Sequence, residues 1–167
     1  MPGFDVVFAN YTAEVEKCIE RMGGHRGFRL DDDDMRHLLE AYALGDAAMK
    51  GGSLLETSPW GRQVGATAVA IALYASVPNA RIVKHSLAAA KNTKRRIRDA
   101  FASERLKPSK LNNVWAMPSL RSDMRGQRPD LVVFDSDAMW APNIQEEIED
   151  AHRLLNCGVL VFKSKLR

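Results

Sequence analysis

Hydrophobic and polar positions along the chain switch repeatedly between the three-to-four-residue spacing of an amphipathic helix and the short apolar runs of a buried strand. From Thr12 onward, Val15, Cys18, Ile19 and Met22 share one helical face, and Gly23-Gly24 closes that segment. Met35, Leu38, Leu39, Tyr42 and Ala43 predict a second helix. It follows Asp31 to Asp34, whose carboxylates suit the positive end of a helix dipole. A calcium loop is the competing reading of that acidic run, but its ligand spacing and distal Glu are absent.

After Gly51-Gly52 the period changes. Ser53 to Thr57 reads as a short strand, Ser58 to Thr67 as a turn, and the apolar stretch through Ser76 as a helix. Ala80 to Lys84 predicts a second strand, Ser86 to about Leu106 a long helix, and Leu111 to Met117 a further extended segment. Asp130-Leu131-Val132-Val133-Phe134-Asp135 has the continuous apolar character of a strand buried on both faces. Pro142 opens a helix through about Asn156, and Gly158 to Phe162 forms the last strand. Repeated strand and helix units predict an α/β fold with a mostly parallel central sheet covered on both faces. Residues 53–57 and 130–135 are expected as neighbouring strands of that sheet. Residues 1–52 are expected to form a helical segment packed on a core of residues 53–167.

A length of 167 residues suits one compact domain. Hydrophobic residues at 46%, charged at 27% and aromatic at 7% exclude wholesale disorder, collagen-like repetition and a disulfide scaffold. Cys18 and Cys157 are far apart in apolar contexts and read as buried free thiols. No apolar run reaches the roughly 18–20 residues of a membrane span, and the first residues lack the features of a secretory leader, so an intracellular protein is expected.

In an open parallel sheet, ligands bind beyond the carboxyl ends of the strands, where loops and helix N-termini present backbone donors to anions. Ser58 to Thr67 is predicted to occupy that place. A phosphate-binding loop reads Gly-x-x-x-x-Gly-Lys-Ser/Thr: glycines wrap the phosphates, Lys reaches the terminal ones, and the hydroxyl binds magnesium. Gly65 and Thr67 fit, but Trp60 stands at the first glycine position and Ala66 at the Lys position. A hydrophobic strand ending in Asp135 is where nucleoside triphosphatases place the carboxylate that holds magnesium. Such enzymes follow it with Glu to orient water, and here Ser136 and Asp137 follow. Both motifs are degenerate.

These residues resemble the packaging ATPase domain of the large terminase subunit of tailed bacteriophages. Gly61-Arg62-Gln63-Val64-Gly65-Ala66-Thr67 is similar to the family's Ser-Arg-Gln-x-Gly-Lys-Thr loop, and Arg81 to Phe101 to its next strand and helix. Met124 to Asp135 resembles its Arg-Gly-x-x-Pro-Asp-hydrophobic-Asp-Glu stretch, the most specific part of the match. Asn143 to Leu155 and Gly158 to Ser164 resemble the helix and strand that follow. The resemblance implies a P-loop NTPase-like, terminase-type three-layer sandwich without the nuclease domain. It implies ATP and Mg2+ as cofactors, with nucleotide on Arg62, Gln63, Val64, Gly65, Ala66 and Thr67 and metal on Thr67 and Asp135. Asp135, Asp137 and Arg62 become the catalytic candidates. Partners would be terminase or other phage packaging proteins, double-stranded DNA and a second copy of the chain, in the cytoplasm of an infected bacterial host.

Two departures bear on activity. Without Lys at position 66 the transferring phosphate loses its usual cation, which removes several kcal/mol of transition-state stabilisation. Without Glu at position 136 the attacking water is poorly oriented. Arg62 is the one local cation, and its planar fork differs in geometry from an ammonium. The expectation is a domain with impaired hydrolysis acting as a nucleotide- or partner-binding module. The alternative is an active motor that translocates double-stranded DNA using Arg62 and Asp137.

Net charge is only +3, from 24 Lys plus Arg against 21 Asp plus Glu, but its distribution is uneven. Between Arg81 and Lys110, ten cations face only Asp99 and Glu104. Lys91, Lys94, Arg95 and Arg98 fall at helical spacing, a stripe suited either to DNA phosphates or simply to solvent. A DNA-binding accessory protein is therefore a third reading. His25, His37, His85 and His152 have no metal or triad spacing. Trp60 is expected to pack against the second helix, and Trp115 and Trp140 to lie in the core or at its rim.

Overall fold

The computed structural model describes residues 32–59, 70, 73–74, 77, 79–100 and 113–163. Helix α1 spans Asp32–Gly51, with three acidic residues opening it as the dipole argument requires. It ends because Gly52 adopts φ +61°, and Ser53 N donates to Ala48 O at 3.0 Å. That six-to-one bond closes the last turn in a way that a left-handed glycine permits. The chain then enters β1, Leu54–Glu56.

Four more strands follow: β2 (Ala80–Lys84), β3 (Val114–Ala116), β4 (Leu131–Phe134) and β5 (Gly158–Val161). They form one sheet in the order β1-β5-β4-β2-β3, and every pair is parallel. Helix α2 (Leu87–Ala100) connects β2 to β3 in sequence, the short α3 (Leu120–Met124) precedes β4, and α4 (Ile144–Leu155) precedes β5. The predicted α/β class with a parallel sheet is observed.

One expected pairing is corrected. Residues 53–57 and 130–135 belong to the same sheet but are not neighbours, because β5 lies between β1 and β4. Burial agrees with the place of β1, though β3, buried throughout, takes the other edge. All of β5 and β4 is buried, as a central strand must be, whereas β1 is only partly covered and takes an edge. Gly158 makes the central place available to β5. A Cβ there would sit 2.5 Å from Ala48 O, so α1's backbone rests directly on the start of the strand.

Helices flank both faces of the sheet. Gly158 and Leu160 meet α1 through Ala48 and Gly45. On the other face Val159 and Val161 join Val83, Val132, Phe134, Leu120 and Met124 of α3, and Ile148 and Ala151 of α4 in one buried cluster. This is consistent with a three-layer α/β arrangement.

Two boundaries differ from the sequence pattern. Pro142 does not open α4, because Asn143 takes a left-handed φ of 58° and the helix starts at Ile144. Helix α2 begins at Leu87, where Ser86 Oγ accepts from Ala89 N at 3.0 Å as a cap. The helix expected over 12–22, the loop from Trp60 through Arg62, Gln63, Val64, Gly65, Ala66 and Thr67, the segment 101–112 and Ser164 lie outside the described residues. Among the described residues no helix is long and apolar enough to cross a membrane.

Candidate functional site

Strand parity brings two charged side chains together at the carboxyl end of the sheet. Ile82 pairs with Val133 and Val83 with Phe134, so the next residues, Lys84 and Asp135, share the face of Ile82 and Val133. Asp135 N still donates to Val83 O at 3.2 Å, extending the ladder by one bond. Lys84 Nζ lies 2.5 Å from Asp135 Oδ2, with the two side chains 5% and 0% exposed. The ion pair is dry.

A second carboxylate closes on the same ammonium. After β4 the chain makes a 3-10 turn, Ser136–Trp140, started by Asp135 itself, whose Oδ1 accepts from Ser136 N at 2.7 Å. The turn carries Asp137 back toward β2. His85 N donates to Asp137 Oδ2 at 3.2 Å, and Asp137 Oδ1 lies 3.3 Å from Lys84 Nζ. That Oδ1 is in ionic contact but makes no aligned hydrogen bond. The ring of His85 meets Trp140 edge to face at 6.4 Å, and its buried Nδ1 has no hydrogen-bond partner.

Electrostatics follow from this burial. Desolvation opposes charge on Lys84, but Asp135 and then Asp137 outweigh it and hold the ammonium above the ordinary lysine range. Burial pushes the Asp137 carboxyl up, against the pull of Lys84. The arrangement is one cation shared by two acids.

The exit of β1 is fixed on the same end of the sheet. Thr57 N donates to Val161 O at 2.9 Å, and Thr57 Oγ1 accepts from Lys163 N at 3.1 Å. Glu40 of α1 accepts from Ser58 N and, at 2.7 Å, from Ser58 Oγ. The loop predicted to hold phosphate therefore leaves from an anchored point. With strands spaced about 4.8 Å apart, two steps separate the β1 and β4 tips by about 10 Å.

Several candidates find their places. Asp135 and Asp137 come together, with Lys84 between them. Arg62 and the rest of the predicted phosphate loop, Thr67 included, fall outside the described residues. The resemblance implies magnesium on Thr67 and Asp135; Thr67 lies outside the described residues, and Asp135 as it stands does not fit the ion. One oxygen of Asp135 is taken by an ammonium, the other by a backbone N–H, and the side chain is fully buried. Among the described residues no group of three His, Cys, Asp or Glu side chains could hold a metal.

On α2, Lys91, Arg95, Arg96 and Arg98 are exposed and Lys94 is half-buried, while Ala90, Thr93 and Ile97 face the interior. The cation-rich stretch is narrower than the sequence implies, because Arg81 and Lys84 are buried. Arg81 stacks 5.6 Å above Trp115 and donates to Gln127 Oε1 at 3.0 Å. It ties the 125–130 loop to β2, with Asn79 Nδ2 donating to Arg128 O at 2.7 Å. Most of the Met124 to Asp135 stretch therefore lies at the amino end of the sheet, away from Asp135. A cleft of about 730 Å3 opens there, lined by Arg121, Arg125, Gln127, Arg128 and Leu154 among others. Trp115 is buried as expected, Trp140 is 62% exposed, and Cys157 is a buried free thiol.

Lys84 is the member of this cluster that the sequence pattern did not single out. Its signal was a charge two positions after Ile82 at the end of the strand, mirrored by Asp135 two positions after Val133. Pairing of β2 with β4 was the unknown that kept the two apart. Comparison with protein-family models, with curated proteins and with solved structures returns no match.

Proposed function

We propose that this chain is a terminase-like P-loop domain with impaired ATP hydrolysis, acting as a nucleotide- or partner-binding regulatory module in phage DNA packaging in the bacterial host cytoplasm. The observation that supports impairment is the neutralised carboxylate: Asp135 stands at the strand tip where such enzymes hold magnesium, but its charge is met by Lys84. The absent Lys at position 66 and Glu at position 136 act in the same direction. The active-motor alternative needs Asp137 to serve water, and that carboxylate is engaged by His85 N and Lys84.

A radiometric ATPase assay beside calorimetry with ATP and magnesium tests the reading. Binding without turnover is the expected result. Robust turnover that disappears in Asp135→Asn would defeat impaired hydrolysis, and undetectable binding would defeat the nucleotide module.

A second reading has its own observation, the exposed cations on α2. The exposed Lys91, Arg95 and Arg98 and the half-buried Lys94 form one stripe flanking the buried Ala90 and Ile97, a surface suited to duplex phosphates. Such a surface predicts duplex affinity that falls steeply with salt and weakens in Arg95→Ala. Salt-independent binding would remove this reading.

A further inference from the structure

We infer that Lys84 is a built-in replacement for a divalent cation, so that the tip of β4 takes no metal while the ammonium is in place. The inference deepens the reading above and rests on it for the identity of Asp135 as the strand-tip carboxylate. Three features carry it. The ammonium contacts carboxylate oxygens from two different positions, Asp135 Oδ2 at 2.5 Å and Asp137 Oδ1 at 3.3 Å, as a bridging cation would. The remaining oxygen of each carboxylate is held by a backbone N–H, from Ser136 on Asp135 and from His85 on Asp137. The lysine itself is 4% exposed, tethered by a strand buried along its whole length, so its charge stays with the site.

The backbone donors point both carboxylates at one spot whatever cation fills it. An ammonium there meets the need for positive charge with one unit instead of two, and its three donors give it directional bonds. It therefore supplies structural neutralisation at the cost of the open coordination positions that a magnesium ion would offer to phosphate or water. Removing Lys84 leaves two converging acids with a cation-sized gap between them. A hard divalent ion that favours oxygen ligands would fill that gap.

The test uses Mn2+ alone, with no nucleotide, so its failure is separable from failure of the nucleotide reading. Free Mn2+ is followed by electron paramagnetic resonance during titration of the full chain. Expected are no saturable binding to the wild type, about one ion bound per chain in Lys84→Ala, and loss of that ion in Lys84→Ala/Asp135→Asn. Lys84→Arg, which keeps the charge, is expected to remain blind to Mn2+. Stoichiometric binding to the wild type that is lost in Asp135→Asn would overturn the inference. A folded Lys84→Ala that binds nothing would overturn it equally. Should Lys84→Ala not fold even with Mn2+ present, the wild-type and Lys84→Arg titrations decide it by the same criterion.

Discussion

Replacing Lys84 with Met keeps the length of the stem and removes only the ammonium, which isolates the charge from the packing. Both partners are almost completely buried, at 5% and 0% side-chain exposure, so solvent screening does little to soften the loss. Breaking a buried pair by removing one partner costs about 3–5 kcal/mol, because the remaining charge is left uncompensated. A domain of this size has a total stability of about 5–15 kcal/mol, so the loss is a large fraction of the whole. With a urea m-value of about 2 kcal/mol/M, the midpoint is expected to fall by about 2 M. Asp135→Leu added to Lys84→Met removes the fully buried orphaned acid but leaves Asp137, so it is expected to recover part of that loss, since apolar replacement of a buried pair is often near neutral. Urea unfolding followed by circular dichroism on the wild type, the two single variants and the double variant measures the cycle. A Lys84→Met midpoint within about 0.3 M of wild type, or costs that simply add in the double variant, would refute the claim that this pair is buried and coupled.

Three further outcomes are expected. Because Lys84 holds its proton more tightly when folded than in the free chain, its contribution to stability is complete below the ordinary lysine value of 10.5 and is lost as pH rises through the higher folded value. The difference in urea midpoint between wild type and Lys84→Met should therefore shrink above about pH 10.5, and a difference that grows there would reverse the assigned sign. Gly158→Ala puts a Cβ against Ala48 O, a backbone atom that cannot turn aside, and should cost about 1–3 kcal/mol in the same unfolding assay. Burial, and then the charge of Asp130, raise the Cys157 thiol to about 11, so in a Cys18→Ser background the native protein should react with a disulfide reagent much more slowly than the urea-unfolded chain.

The element types were legible because each rests on local chemistry. Apolar runs of four or five residues marked β4 and β5, since a strand covered on both faces has no polar alternation to show. The end of α1 was equally local, a pair of glycines of which the second takes the left-handed turn. Asp135 and Asp137 stood out as acids at a strand tip without any knowledge of the neighbouring strand.

Strand order and the partners of those acids were decided only by the folded chain. Nothing in Ser53 to Thr57 or Gly158 to Phe162 states that the second inserts beside the first. That depends on α1 lying against Gly158, a contact between residues 110 positions apart. Lys84 carries the same lesson. In sequence it belongs to a cation-rich stretch, and only the pairing of β2 with β4 turns it inward onto Asp135, 51 residues away. Periodicity records which side of an element is buried, because burial acts on each residue separately. Which charge meets which is a property of pairs, and pairs exist only once the sheet has closed.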